Sequence, residues 1–121
     1  MTNPFKDQTD FMIACDQTVD KVNTDQYGMY LKLIEEEAGE LADAIKSQDA
    51  VEQLDALVDI LVVTIGAINS LGADGEGAWN EVMRTNFAKI DPETGKVRKR
   101  EDGKVLKPEG WTGPELAKFL K

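Results

Sequence analysis

Apolar residues recur at intervals of three and four along the first ninety positions, the spacing of one helix face. Phe11, Met12, Cys15, Val19 and Val22 predict a first helix over about 8–22. Tyr30, Leu31, Ile34, Ala38, Leu41, Ala42 and Ile45 predict a second over about 26–47. Asp49 has the character of an N-cap, with Glu52 three residues on as in a capping box, and the helix it opens runs to Leu71, where Gly72 stops it. Ala78, Trp79, Val82, Met83, Phe87 and Ile90 point inward from a fourth helix over about 75–90. Pro92 and Gly95 then break the period. The stretch "GKVRKREDGKVLKPEGW" alternates around "EDG", a hairpin turn signal, and "GPELAKFLK" offers a last helical turn that packs back. The pattern predicts an all-α fold: a four-helix bundle with a short irregular or hairpin C-terminal tail, residues 1–121 forming one domain.

The third helix carries an anomaly. Asp59 stands inside "DALVDILVVTIGAI", the most apolar stretch of the chain. A carboxylate among such neighbours costs several kcal/mol unless something pairs with it. On the second helix, stepping about 100° per residue from Glu36 puts Glu40 at about 40°, Glu37 at about 100° and Asp43 at about −20°, with the apolar face near 180°. Glu36, Asp43 and Glu35 read as boundary or solvent residues. Glu37, between Leu33 and Leu41 one turn away on either side, reads as the rim of the core. On the third helix Asp55 and Asp59 share a face at i, i+4. Two helices thus each bring a pair of acids, and like charges so placed repel unless a cation lies between them. A salt bridge is the ordinary answer, but these helices offer only Lys32 and Lys46 against four carboxylates.

Charge and composition narrow the chemistry. The net charge is −9, yet residues 1–60 hold four Lys/Arg against fourteen Asp/Glu, while residues 84–107 hold eight basic and four acidic side chains. An acidic half argues against a nucleic-acid surface and suits a hard divalent cation, and the basic segment is the part that meets an anion. The absence of histidine excludes Ser-His and Cys-His nucleophile systems, Glu-x-x-His di-iron sites and histidine zinc sites; one cysteine excludes a thiolate zinc site and an internal disulfide. Oxygen-only ligands point to Mg²⁺, with Mn²⁺ as a substitute, and to metal-assisted chemistry on an oxyanion such as phosphate. The N-terminal stretch has no signal-peptide character, and apolar runs end at about nine residues, so a cytoplasmic protein with no membrane partner is expected.

"EEAGEL" (36–41), followed on the next helix by "DALVDILVV", resembles the MazG-like all-α NTP pyrophosphohydrolases, which share E-E-x-x-E and then E-x-x-D. "EVMRTNFAKID" and "REDGKVLKPEGWTGPEL" resemble the phosphoribosyl-ATP pyrophosphohydrolase-like members. The resemblance implies Mg²⁺-dependent cleavage of a (d)NTP between the α and β phosphates, to the monophosphate and pyrophosphate, by a homodimer or homotetramer. It implies Glu37 and Glu40 as metal ligands, Glu36 as the leading glutamate, and Asp59 as the final aspartate. Glu36 or Glu37 would accept the proton of the attacking water. Asn86 and Lys89 match phosphate-holding positions, with Arg84, Lys104 and Lys107 as further candidates.

The chain departs from the pattern at Ala56, where glutamate is expected three residues before Asp59; Asp55 is the replacement, although a literal E-x-x-D stands at Glu52–Asp55. Phe11, Tyr27, Tyr30 and Trp111 are candidates for stacking on the base. Two other readings stay open. One is hydrolysis of phosphoribosyl-ATP; the other is a non-enzymatic acidic helical module that binds a basic partner or serves in an assembly.

Overall fold

The computed structural model describes residues 3–121. It is mostly helical, with α1 (Pro4–Ala14), α2 (Thr24–Lys46), α3 (Ala50–Ser70) and α4 (Gly75–Phe87), followed by a two-stranded antiparallel sheet of β1 (Ile90–Asp91) and β2 (Lys96–Val97). This is the expected all-α arrangement with a short tail. The chain divides into two compact units, one running to Gly75 and taking in Leu120–Lys121, the other Glu76–Phe119. No helix among the described residues is long and apolar enough to cross a membrane.

In the first unit the helix starts follow ordinary capping chemistry. Asn3 accepts from the Lys6 amide with Pro4 at the first helical position, Asn23 accepts from Gln26, and Asp49 accepts from Glu52. The stops share one device. After α1, Asp16 takes φ 61°, its amide bonds to the Ile13 carbonyl, and Gln17 bonds to Met12 at 2.9 Å. After α2, Gln48 takes φ 56°, its amide bonds to Ile45, and Asp49 bonds to Ala44 at 3.0 Å. After α3, Gly72 at φ 72° repeats the pattern on Asn69, with Ala73 on Ile68. All three are Schellman stops, and only the last uses glycine.

The first of those stops corrects a predicted boundary. The first helix ends at Ala14, not near 22, because Asp16 reverses the chain. Val19 and Val22 belong to the connection that follows, where Val22 makes a single β-bridge with Leu71. Phe11, expected inward, is 62 % exposed. The capping box at Asp49 is only half formed, because the Asp49 amide is already bonded to Ala44 and Glu52 has no amide to answer.

The first unit's core is Met12, Tyr30, Val63 and Ala67, with Val19, Tyr27, Leu33 and Ile34 packed around it. The α2–α3 contact is close because Gly66 lies under the Tyr30 ring, and a Cβ there would overlap it. Tyr30 donates its hydroxyl to Gln17, and Gln26 ties the 15–23 connection to the end of α3 by donating to the Thr18 carbonyl at 2.7 Å and to Ser70 Oγ at 2.9 Å. On α1, Thr9 Oγ1 and Met12 Sδ both receive Asn69 Nδ2 of α3.

In the second unit α4 ends at Phe87, three residues before the predicted limit, and Ile90 enters β1 instead. Trp79 and Phe87, expected inward, are exposed. Pro92–Gly95 forms the turn between the strands, which the sequence pattern had marked only as a break. The "EDG" turn does form, held by Arg100 N to Lys104 O at 2.8 Å and one bridge between Lys99 and Val105. The final segment supplies a 3₁₀ turn, Ala117–Phe119. Two hydrogen bonds fasten the tail to α4: Trp111 Nε1 donates to the Thr85 carbonyl at 2.7 Å, and the Glu115 amide donates to Glu81 Oε2 at 2.8 Å.

Gly66→Ala tests the α2–α3 contact. The added methyl forces Tyr30 out of place, and overpacking of this kind costs about 1–3 kcal/mol. Urea denaturation followed by circular dichroism should show that loss, and an unchanged midpoint would mean that the ring moves aside freely.

Candidate functional site

The acids of α2 and α3 are brought to one side of the helix pair by the turn at Ser47–Asp49. Because that turn ends α2 and starts α3 within three residues, positions equidistant from it face one another. Glu40 and Asp43 of α2 meet Glu52 and Asp55 of α3 around a cleft of about 570 Å³, whose walls also include Ala44, Ser47 and Ala56. Asp43 and Glu52 were read from sequence as a boundary residue and a cap. Both line this cleft, and Glu52 is released for it by the half-formed capping box. The spacing that could have flagged them was present: Glu40 to Asp43 and Glu52 to Asp55 are both i, i+3 pairs.

Glu37 is the exceptional member of the set. It is half-buried, and its Oε2 is buried with no hydrogen-bond partner. Burial first, then the hydrogen bond and charge of Glu40, then the charges of Asp59 and Asp55, push its carboxyl from 4.5 up to about 7. Glu37, Glu40, Asp55 and Asp59 are therefore electrostatic neighbours, as the helix geometry required. Asp59 is half-buried, and among the described residues neither Lys32 nor Lys46 forms a salt bridge with it. Glu36 is exposed.

As the side chains stand, no three of the described acids or Cys15 converge on a single point that would hold a metal ion. The donor set nonetheless suits a hard cation: all its ligands are carboxylate oxygens, and one of them is buried with nothing bonded to it. A cation would satisfy that oxygen and offset the repulsion that raises the Glu37 pKa.

The basic candidates all belong to the second unit. Arg84 donates through Nε and Nη2 to the two oxygens of Glu81, at 2.8 and 2.9 Å. With the Glu115 amide, this pulls the Glu81 carboxyl down to about 2. Asn86 accepts from Lys89 Nζ at 3.0 Å. Lys89 and Lys107 each hold their ammonium over the Trp111 ring. Lys104 lies in the exposed "EDG" turn. A cleft of about 450 Å³ beside Lys89 is lined by Asp91, Glu93 and Glu109 together with Arg98, so its walls are not a uniformly basic surface.

Of the stacking candidates, Tyr30 is core, Phe11 is exposed, and Tyr27 and Trp111 are half-buried.

The family model for phosphoribosyl-ATP pyrophosphohydrolase matches residues 16–86, more than half of the chain. The chain belongs to the phosphoribosyl-ATP pyrophosphohydrolase family. This match bears out the resemblance drawn from "EEAGEL" and "DALVDILVV", and it covers α2, α3 and nearly all of α4. It indicates an enzyme of the nucleotide pyrophosphohydrolase kind. No curated protein matches the chain.

The Glu37 shift has a consequence for stability that needs no substrate. Its folded pKa lies above the unfolded value, so stability from the protonated form is complete below pH 4.5 and is lost as pH rises to about 7. The melting temperature of chelator-treated protein should fall across that window. In Glu37→Gln the fall should flatten; if it is the same as in the parent, another group is responsible.

Proposed function

We propose that this protein is a metal-dependent pyrophosphohydrolase that cleaves a (d)NTP between the α and β phosphates, releasing the monophosphate and pyrophosphate. The observation that carries the reading is the buried, unpartnered Oε2 of Glu37 among Glu40, Asp55 and Asp59. Those four carboxylates are the residues that would hold Mg²⁺ or Mn²⁺. Bound there, such an ion would neutralise charge on the phosphate oxygens and would make the attacking water more acidic.

The chain's own chemistry follows from its carboxylates. A water attacks the α-phosphorus, its proton passes to Glu37 or the adjacent Glu36, and the α–β phosphoanhydride bond breaks with pyrophosphate leaving. Phosphate binding falls to Asn86, Lys89, Lys104 and Lys107. Arg84 already has both oxygens of Glu81, so its role in this reading is to hold that carboxylate.

Phosphoribosyl-ATP is the second reading for the substrate, and the family match favours it by name. It needs the same bond cleaved and the same acids. The two separate on substrate: a panel of NTPs, dNTPs and phosphoribosyl-ATP, with Mg²⁺, scored for pyrophosphate and orthophosphate separately. Pyrophosphate release is expected, falling by two or more orders of magnitude in Asp59→Asn, since losing a ligand removes much of the ion's contribution. Turnover that survives in Asp59→Asn, or orthophosphate as the only product, would refute the assignment.

We further propose a homodimer or homotetramer, with the outer face of α3 as the contact. Val51 (76 % exposed), Leu54, Leu57, Val58 and Leu61 form an exposed apolar stripe there, whose Val58–Leu61 end lies beside Pro4, Asp7 and Gln8 of α1. Sedimentation should find the protein associated, and Leu57→Glu should shift it to monomer. A monomeric parent would remove this part of the reading and leave the chemistry untouched.

A further inference from the structure

Lys89 and Lys107, 18 positions apart in sequence, share one aromatic partner. Their ammonium nitrogens lie 5.1 and 4.8 Å from the centroid of the Trp111 ring, so they are at most about 10 Å from each other. Like charges held at that range repel, and a ring's π face attracts each cation without neutralising either. Among the described residues neither ammonium has a carboxylate within ion-pair distance, although the chain carries 23 acids against 14 bases. Of the other basic residues in this segment, the arginines Arg84, Arg98 and Arg100 are each paired with an acid, whereas Lys96, Lys99 and Lys104 are in no salt bridge among the described residues, and what sets Lys89 and Lys107 apart is the shared ring.

The ring that gathers the two lysines is itself held in place. Trp111 Nε1 donates to the carbonyl of buried Thr85, its amide bonds to Pro108 at 3.1 Å, and four residues on the Glu115 amide is held by Glu81. Lys89 is further steadied by Asn86 Oδ1. A fastened aromatic that collects two unpaired cations is poorly explained as tail adhesion alone, since one lysine and the two hydrogen bonds already anchor the segment. An anion with charge on adjacent phosphates can meet both ammonium groups, whereas an anion with a single phosphate is suited to one of them.

We propose that Trp111 is a positioning residue that holds Lys89 and Lys107 as a pair for a polyphosphate anion. That anion is either the triphosphate of the substrate or the pyrophosphate released from it. The inference rests on the pyrophosphohydrolase reading for its ligand class, and adds to it a residue, Trp111, that acts through the lysines. The cleft that Lys89 itself lines has three acids against Lys89 and Arg98 and does not include Lys107, so a polyphosphate is favoured between the two lysines rather than deep in that cleft.

The test uses the full chain in EDTA, so that binding at the carboxylates through a divalent ion does not contribute. Inorganic pyrophosphate, ATP and orthophosphate are titrated by calorimetry, and by indole emission in a Trp79→Phe background that leaves Trp111 as the single indole. Pyrophosphate or ATP should bind more tightly than orthophosphate and change the Trp111 emission. Tighter ATP binding would identify the substrate's triphosphate as the ligand; pyrophosphate binding without ATP binding would identify the product. Lys107→Gln, at an exposed position, and Trp111→Leu should each weaken binding roughly tenfold, and Trp111→Phe, which keeps a π face, should recover much of it. Orthophosphate binding as well as pyrophosphate, or parent-like pyrophosphate binding in both Lys107→Gln and Trp111→Leu, would overturn the proposal. Neither result bears on the reaction itself, which is decided separately by the product released and by turnover in Asp59→Asn.

Discussion

The structure of the first unit turns on Asp49. Its backbone amide closes the stop of α2 by bonding to Ala44, and its side chain opens α3 by accepting from the Glu52 amide. One residue therefore ends one helix and begins the next, leaving a connection too short to let the two slide. With the turn fixed, the register of the helix pair is fixed, and so are the partners across it. Glu40 and Asp43 must face Glu52 and Asp55, and the row continues along both helices to Glu37 and Asp59. Gly66 then sets how close the helices come, because Tyr30 occupies the space a side chain would need. The acidic row is thus a consequence of backbone hydrogen bonds and one missing Cβ rather than of any attraction among the acids, which repel.

The two half-buried or buried glutamates show how much the partner matters. Glu81 is buried and carries Arg84 and the Glu115 amide on its oxygens, and its carboxyl is held down to about 2. By linkage its contribution to stability is present above about pH 4.5 and lost as pH falls toward 2, so this carboxylate supports the fold at every ordinary pH. Glu37 meets carboxylates instead and is driven the other way, to about 7. The same side chain is a structural tie in one unit and a source of strain in the other. Strain that packing could have removed by a neutral residue is the feature expected of a functional group.

Much of this was legible in the residues. The helical period, the cap at Asp49 and the stop at Gly72 are local chemistry, and local chemistry reads directly. That Glu37 and Asp59 are neighbours was legible because each is an acid beside apolar residues, and Asp59 shares its helix face with Asp55 at i, i+4. What could not be read were the stop at Asp16 and, at a helix end that the period did place, the left-handed turn at Gln48. Left-handed backbone at a residue other than glycine depends on the Schellman bonds around it, and nothing in either side chain announces them. Missing the stop at Asp16 extended the first helix through Val19 and Val22, whose spacing fits a helix by coincidence. The role of Glu52 was hidden for the same reason. Its sequence position is that of a capping box, and only the commitment of the Asp49 amide to Ala44 frees it.

The exposed apolar residues were unreadable in a different way. Periodicity separates one face from another but does not say how many faces a helix must satisfy. On α3 the residues against α2 (Ala56, Val63, Ala67) and the stripe from Val51 to Leu61 are both apolar, so the helix looks buried on every side. Among the described residues α2 covers the first face, and α1 reaches only the Val58–Leu61 end of the second. The consequence is that α3 cannot be judged as an isolated helix: its acids are exposed to whatever covers its outer face, and Asp55 and Asp59 lie between the two apolar sides. Covering the stripe would lower the local dielectric on one flank of those acids and raise the cost of leaving them without a cation. In that arrangement self-association and cation binding are not independent properties. A cation would remove the penalty that covering the stripe makes larger.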